Sequence, residues 1–279
     1  MTDRLAQMAE RIARQTRIDE IFVDPVWSNH VDVPLIELCL AQNQPQVPVI
    51  LMPELRFKSL LKCLVESLPR LGKVMIVDET NTRFDGLKKS VQKAGLNLYF
   101  SAQEVGALNY ADNIFHFVLT ELGLSTLCRS DVVLPAYRRV LKPEGRLLWS
   151  APTTGSFDAF IDIFEECLFK LCPSECSEIM DTIRTSMTLE RMAESIDMSG
   201  LILDSHISTK FELEFPNVEQ LLFSTLVESH YLGYCLQLCD PKIDQKALLT
   251  LLVRAFHHYF QGSSICVPMH MAIFSARKA

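Results

Sequence analysis

Short, mostly apolar runs alternate with amphipathic segments through the first half of this sequence. Each run is four or five residues long, which is typical of strands buried on both faces of a sheet. The runs are Val49–Met52, Val74–Val77, Leu96–Phe100, Phe115–Leu119 and Arg146–Ser150. Helical spacing of apolar residues occupies Ser59–Leu68, Phe84–Lys93 and Val132–Val140 between them. Strands that alternate with helices predict a parallel sheet with right-handed crossovers.

Beyond Ala151 the pattern is mostly helical. It predicts helices at Phe157–Leu171, Thr188–Met198, Val218–Glu228 and Gln245–Phe260. Thr188 is placed as an N-cap and Gly200 as a stop for the second of these. Two further strands, Leu201–Phe215 and Met269–Ser275, bring the predicted sheet to seven strands.

The residues ahead of the first strand are also expected to be helical. Residues 3–18 have near-helical apolar spacing, Val33–Ala41 fits a short helix, and Pro25 and Pro34 interrupt the pattern between them. We therefore predict an N-terminal helical segment at 1–46 and one α/β domain at 47–279. That domain would have a doubly wound, mostly parallel seven-stranded sheet. Helices at about 155–200 and 217–262 would cover it as a lid.

Composition narrows the classes of function. The net charge of −7 argues against a nucleic-acid partner, because phosphate binding needs a concentrated basic surface. No apolar run approaches the roughly 20 residues that cross a bilayer, and the charged N-terminus is unlike a secretory signal. We therefore expect a cytoplasmic protein with no membrane partner. The nine cysteines lack C-x-x-C spacing, and although Cys172 and Cys176 are spaced to share a helix face, we expect no metal site.

Two strings of residues carry a family resemblance. Tyr137–Leu148 contains Arg-Val-Leu-Lys-Pro-Glu-Gly, in which Pro143 would stop a helix and Gly145 would take a positive φ in the turn that follows. Gln103–Val118 contains a second string, whose matching residues are Glu104, Leu108, Tyr110, Asp112, Phe115 and Val118. Together they resemble the class I S-adenosylmethionine-dependent methyltransferases of the small-molecule, ubiquinone/menaquinone-biosynthesis-like group. The resemblance spans roughly Val47 to Lys278 and implies a Rossmann-like methyltransferase fold.

The resemblance implies four cofactor-binding residues. Asp78, at the end of the second strand, would accept hydrogen bonds from the ribose hydroxyls. Glu104 would hold the adenine amino group, and the backbone N–H of Val105 would reach the adenine ring. Thr120, just past the fourth strand, would border the same crevice. His116 stands where the family has an aspartate.

The chain departs from the family after the first strand. The family carries an acidic residue and a Gly-x-Gly-x-Gly run there, which lets the backbone approach the cofactor closely. This sequence has Leu51, Pro53 and Leu55 at the glycine positions and Val49 at the acidic one. Glu54 or Arg56 would offer a polar contact instead. We expect binding of S-adenosylmethionine to be weakened or lost.

Two main functions from different classes remain open, and an α/β binding protein for some other ligand in the same crevice is a third. The main hypothesis is a methyltransferase-fold pseudoenzyme that acts through a protein partner or a second copy of itself. The alternative is an active S-adenosylmethionine-dependent methyltransferase that takes a small-molecule ligand. No catalytic constellation is visible, although His116, His230 or His257 would be candidates for a general base.

Overall fold

The strands form one seven-stranded sheet. The computed structural model describes residues 10–11, 13–42, 45–54, 58–67, 72–77 and 97–279. Within them the strands lie in the order β3-β2-β1-β4-β5-β7-β6. Their bounds are β1 Val49–Pro53, β2 Lys73–Val77, β3 Asn97–Ser101, β4 Phe115–Glu121, β5 Leu141–Pro152, β6 Leu201–Phe215 and β7 Ile265–Lys278. β1 to β5 pair in parallel, and β7 runs antiparallel to both β5 and β6. The predicted α/β class and mostly parallel sheet are confirmed.

The helices flank the sheet. Of the α-helices in the part of the chain that the structure describes, α1 to α5 precede β5 and α6 to α11 follow it. The α-helices are α1 Asp24–Trp27, α2 Val33–Leu40, α3 Lys58–Ser67, α4 Leu124–Leu127, α5 Ser130–Val140, α6 Asp158–Leu171, α7 Pro173–Ser186, α8 Leu189–Met198, α9 Val218–Leu222, α10 Gly233–Leu238 and α11 Gln245–Phe260. α7 is not predicted by the sequence analysis, although its buried residues Cys176, Ile179 and Ile183 repeat at helical spacing. The helix predicted at Phe84–Lys93 lies outside the described residues.

Residues 13–40 are helical throughout, and we call them the N-terminal arm. Two π-helical turns, Asp19–Val23 and Ser28–Asp32, interrupt its α-helical turns. Pro25 and Pro34 each lie in the first turn of the α-helix that follows a π turn. A proline in a helix interior removes one backbone donor and clashes with the preceding turn. The wider π turns explain why the helical path continues through positions at which the sequence predicts a break.

Successive residues of the apolar strands face two separate cores. Ile50 and Met52 of β1 pack with α2 and α3 on one face of the sheet. Leu51 points to the other face, into the larger core that also contains α5, α6 and the part of the N-terminal arm from Ile18 to Val31. This alternation follows from the two-residue period of a strand. Burial on both faces explains why the strands are continuously apolar.

Two predicted turns can be compared with the structure. The Thr188 hydroxyl accepts a hydrogen bond from the backbone N–H of Arg191, and Gly200 has φ of 75°, so the N-cap and stop of α8 are confirmed. The prediction of positive φ at Gly145 is wrong: the left-handed residue is Glu144, with φ of 61°. Gly145 is needed for a different reason. A Cβ atom there would lie 2.8 Å from the Lys142 carbonyl oxygen and 3.1 Å from that of Phe115.

Helices lie over the carboxyl ends of β4 and β5. The π-helical segment Leu226–Leu232 contacts α4, which directly follows β4. The ring of Tyr231 in this segment stacks on Phe157, at the start of α6, with 4.3 Å between centroids. α8 instead packs against α5 and β6, so it belongs to the layer that flanks the sheet. The cover is therefore built by α6 and by the insertion between β6 and β7, together with the N-terminal arm.

Candidate functional site

The crevice lies where β1 and β4 end side by side. Thr120, near the end of β4, is almost completely buried, and its hydroxyl donates to the carbonyl oxygen of Pro53 over 2.9 Å. This bond fixes the spacing of the two strand ends. The side chain of Thr120 thus holds the carboxyl ends of β1 and β4 together. Its role toward a cofactor stays a prediction.

Glu54 occupies the turn that follows β1. Its backbone has φ of 53°, the left-handed conformation that glycine adopts without strain. Its N–H donates to the carbonyl oxygen of Val77 at the end of β2, over 3.2 Å. Its carboxylate accepts a short hydrogen bond from the hydroxyl of Thr126 in α4. Glu54 therefore adopts a backbone conformation typical of glycine, and its carboxylate contacts the short helix that follows β4.

Two further predicted cofactor residues, Glu104 and Val105, follow β3. Glu104 comes directly before the 3-10 turn Val105–Ala107 and is exposed, 3.1 Å from the guanidinium of Arg129. Val105 is buried. Asp78, like Leu55, Arg56 and Phe57 of the first loop, lies outside the described residues. The expectation that the glycine-poor loop weakens binding of S-adenosylmethionine is therefore untested by the structure.

A narrow cavity lies beyond the ends of β4 and β5. Its lining includes Trp27, Glu121, His230, Tyr231 and Met269, and its volume of about 10 Å³ has room for one water molecule. Glu121 and His230 are almost fully buried. Burial raises the pKa of the Tyr231 phenol. Polar and apolar groups thus meet in a small space whose lining side chains are almost fully buried.

The N-terminal arm closes this cavity. The indole Nε1 of Trp27 donates to Oε1 of Glu121 over 2.7 Å. The carboxylate of Asp19 accepts from the backbone N–H of Thr225 over 3.0 Å, just ahead of the covering π-helical segment. The rings of Trp27 and His30 both contact Phe211 of β6. The arm is therefore part of the site, which residue spacing alone does not indicate.

The three candidate histidines lie in different places. Only His230 lines the cavity. His116 lies at the opposite edge of the sheet, at the start of β4, where its Nδ1 accepts from the backbone N–H of Val49 over 3.0 Å. His257 is exposed on α11, 3.2 Å from a carboxylate oxygen of Glu219. Of the three, His230 alone is placed to serve as a base at this site.

Metal-binding and membrane-spanning features are not found in the part of the chain that the structure describes. No group of three or more potential ligands there could hold a metal ion. The Cys239 thiol donates to the backbone carbonyl of Cys235 on its own helix. No helix within the described ranges combines the length and apolar character that a bilayer crossing requires.

Sequence reasoning does not identify Trp27, Glu121 or Tyr231 as site residues. One signal was available for Glu121. Thr120 and Glu121 are two polar residues in succession at the carboxyl end of an apolar strand, and ligands of parallel sheets bind at the carboxyl ends of the strands. Trp27 and Tyr231 carry no such signal. They come from segments about 200 residues apart that meet only in the folded chain.

Comparison with known proteins finds distant sequence relatives among methyltransferases. The ubiquinone/menaquinone biosynthesis C-methyltransferase UbiE of Shewanella frigidimarina is 26% identical over 129 residues, covering 46% of this chain and 50% of that protein. UbiE of Teredinibacter turnerae is 28% identical over 132 residues, covering 46% and 51%. The alignments thus span about half the length of these curated relatives. No family model matches the chain.

Solved structures show the same fold. A Bacillus halodurans protein provisionally described as a methyltransferase superposes with a TM-score of 0.53 at 13% identity, over 88% of this chain and 98% of that one. The [4+2]-cyclase SpnF superposes with a TM-score of 0.51 at 15% identity, over 88% and 80%. The chain therefore has a Rossmann-like methyltransferase fold, and its distant sequence similarity is to ubiquinone/menaquinone biosynthesis C-methyltransferases.

Proposed function

We propose that the protein binds S-adenosylmethionine and transfers its methyl group to a small, largely apolar molecule. The observation that carries this proposal is the Glu54 carboxylate after β1, hydrogen-bonded to Thr126, together with a buried cavity beyond β4 and β5 that is lined by Glu121 and His230. The distant similarity to C-methyltransferases supports it. An active enzyme is thus favoured over the pseudoenzyme that the glycine-poor loop suggests.

The described residues fit the cofactor chemically. S-adenosylmethionine presents hydrogen-bond donors at its ammonium group, its ribose hydroxyls and its adenine amino group. The crevice offers carboxylates at Glu54, after β1, and at Glu104, after β3. In the proposed complex Glu54 takes the ammonium group, Glu104 the adenine amino group, and Val105 the adenine ring. Asp78, predicted for the ribose, completes this set of acceptors.

The cavity supplies the methyl acceptor site in this proposal. When bound, the cofactor provides a sulfonium methyl group that is open to nucleophilic attack. His230 takes the proton that the acceptor loses, because its imidazole can accept a proton and this side chain lines the cavity. Trp27 and Met269 give the acceptor an apolar surface. Small aromatic acceptors such as phenols and hydroquinones match this combination.

Access to the cavity requires movement of its cover. A volume of about 10 Å³ cannot hold a substrate. The cover consists of the N-terminal arm and the segment Leu226–Leu232, held by the Trp27–Glu121 and Asp19–Thr225 hydrogen bonds. We propose that this cover opens to admit the acceptor and closes over it, which excludes water from the reacting groups.

Calorimetric titration with S-adenosylhomocysteine tests the cofactor site. Saturable binding is expected, and Glu54→Gln should weaken it at least about tenfold, equivalent to about 1.4 kcal/mol. Glu178→Gln, on the exposed face of α7, is the matched control and should leave binding unchanged. Absence of binding at millimolar ligand would overturn the proposal. It would favour the pseudoenzyme, and the partner would then be sought by pull-down and by measurement of oligomeric state.

The acceptor site is tested separately with radiolabelled methyl donor and a panel of phenols and hydroquinones. With an accepted substrate, His230→Gln should lower turnover about 100-fold or more. Binding of S-adenosylhomocysteine by this variant should remain at the wild-type level. Full turnover by His230→Gln would remove the histidine from the proposed mechanism while leaving the cofactor assignment intact.

A further inference from the structure

A second cleft lies at the opposite edge of the sheet, where β4 and β5 begin. It has a volume of about 390 Å³ and is lined by Gln42, Pro45, His116, Lys142, Glu144 and Arg146, with Phe117, Pro143 and Gly145 at its base. The methyl-transfer crevice is formed by the carboxyl ends of these strands. The cleft is therefore a separate feature, and the proposed function gives it no role.

The hydrogen bonding of His116 determines its tautomer. The backbone N–H of Val49 donates to Nδ1 over 3.0 Å, so Nδ1 carries the lone pair. In the neutral ring the proton is then on Nε2. Burial and the nearby Lys142 both lower the pKa of His116, which keeps the imidazole neutral. Nε2–H is thus a donor that faces the cleft residue Lys142.

The opposing group is also a donor. The Nζ atom of Lys142 lies 2.9 Å from Nε2 of His116. An ammonium group has three N–H donors and no acceptor, so two donors meet without a shared acceptor. Among the described residues Lys142 forms no ion pair, whereas Arg146 pairs with Asp204, and Glu144 lies 3.6 Å from Arg277. Lys142 is therefore the cation of this cleft whose charge is not offset.

We propose that the cleft binds the phosphate group of a small molecule, with one phosphate oxygen accepting from both Nε2–H of His116 and the ammonium of Lys142. Such an oxygen gives both donors an acceptor and offsets the charge of Lys142. The other phosphate oxygens remain in contact with solvent, which suits an open cleft. The remaining volume accommodates the organic part of a phosphate ester.

The experiment follows the ring nitrogens of His116 by NMR in histidine-labelled full-length protein. The free protein should show the Nε2–H tautomer. Inorganic phosphate, added at constant ionic strength against chloride, should shift the His116 resonances saturably, with a dissociation constant of about 1 mM. Resonances of the exposed His258 should not shift. A response to chloride equal to that to phosphate, or no saturable response, would overturn the proposal.

Variants separate the site from general charge effects. Lys142→Met should weaken phosphate binding at least tenfold, whereas Lys246→Met, at an exposed position on α11, should not. His116→Asp is the sharper variant because aspartate can still accept from the Val49 N–H and also pairs with Lys142. It should remain folded by thermal denaturation and lose phosphate binding. Unchanged binding in His116→Asp, measured by calorimetry, would contradict the assignment.

Discussion

The indole of Trp27 donates to the carboxylate of Glu121, 94 residues away in the chain, over 2.7 Å in a buried environment. Trp27 ends α1 in the N-terminal arm, and Glu121 ends β4. This bond joins the arm to the strand edge at which the site is formed. It therefore links the position of the cover to the position of a carboxylate in the proposed acceptor cavity.

Trp27→Phe should destabilise the protein because Glu121 loses a charge-assisted hydrogen bond while it stays buried. Trp149→Phe is the matched control: Trp149 is equally buried and stacks on Phe274, but its indole N–H has no hydrogen-bond partner among the described residues. The free energy of unfolding in urea should fall by about 1–2 kcal/mol more for Trp27→Phe. Equal losses would show that the bond contributes nothing beyond packing.

Asp32 should make stability depend on pH. It is fully buried beside α3, and burial raises its pKa to about 7, opposed by the Ser59 hydroxyl and reinforced by Asp24. The folded state therefore binds this proton more tightly than the unfolded state, whose aspartates titrate near 3.9. The stability this group contributes is complete below about pH 4, falls as the pH rises, and is lost above about pH 7.

Asp32→Asn should therefore stabilise the protein at pH 8 by a few kcal/mol and change little at pH 4. Urea denaturation at both values measures the difference. Asp181→Asn, at an exposed position on α7, is the control and should have a small effect at both. If Asp32→Asn raised the free energy of unfolding by the same amount at both pH values, the assignment of a raised pKa to Asp32 would be contradicted.

The first part of β5 contains a residue under backbone strain. Glu144 has φ of 61°, a conformation that costs a non-glycine residue about 1 kcal/mol. Glu144→Gly should raise the free energy of unfolding by up to about 1 kcal/mol, whereas Glu144→Ala removes the carboxylate and keeps the strain. Gly145→Ala should be strongly destabilising because its Cβ would lie 2.8 Å from the Lys142 carbonyl oxygen. Thermal unfolding measures the stability of all three variants. Glu144→Gly that is no more stable than Glu144→Ala would contradict the assignment of strain to Glu144.

Thr120 should affect both stability and cofactor binding. Thr120→Val keeps the shape of the side chain but removes the hydrogen bond to the Pro53 carbonyl oxygen. A loss of about 1–3 kcal/mol in stability is expected, because that buried acceptor loses a donor. The dissociation constant of S-adenosylhomocysteine should rise as the ends of β1 and β4 move. Stability loss with unchanged affinity would separate Thr120 from the cofactor site.

Much of the fold follows from local pattern. β1, β2 and β4 are apolar runs that only a doubly covered parallel sheet can bury, and α11 has the bounds that its spacing predicts, Gln245–Phe260. The position of Thr120 at the crevice follows from the same pattern, because parallel strands end at a common edge. The N-terminal arm is different. Its prolines predict breaks, but π turns carry the helix past them, and such register changes have no clear local signature.

The sequence by itself predicted an α/β fold with a mostly parallel sheet. It also predicted that a ligand would bind at the carboxyl ends of the strands, and it carried the family resemblance. Only the tertiary structure decided which polar groups meet there. Trp27 reaches Glu121, and Glu54 reaches Thr126, across separations that no residue periodicity records. His116 shows that a candidate from the sequence can also lie away from the site. It was a candidate general base, but it lies at the start of β4, opposite the edge at which the proposed site is formed. Periodicity reports the direction of a side chain relative to its own element, whereas a site depends on how different elements pack.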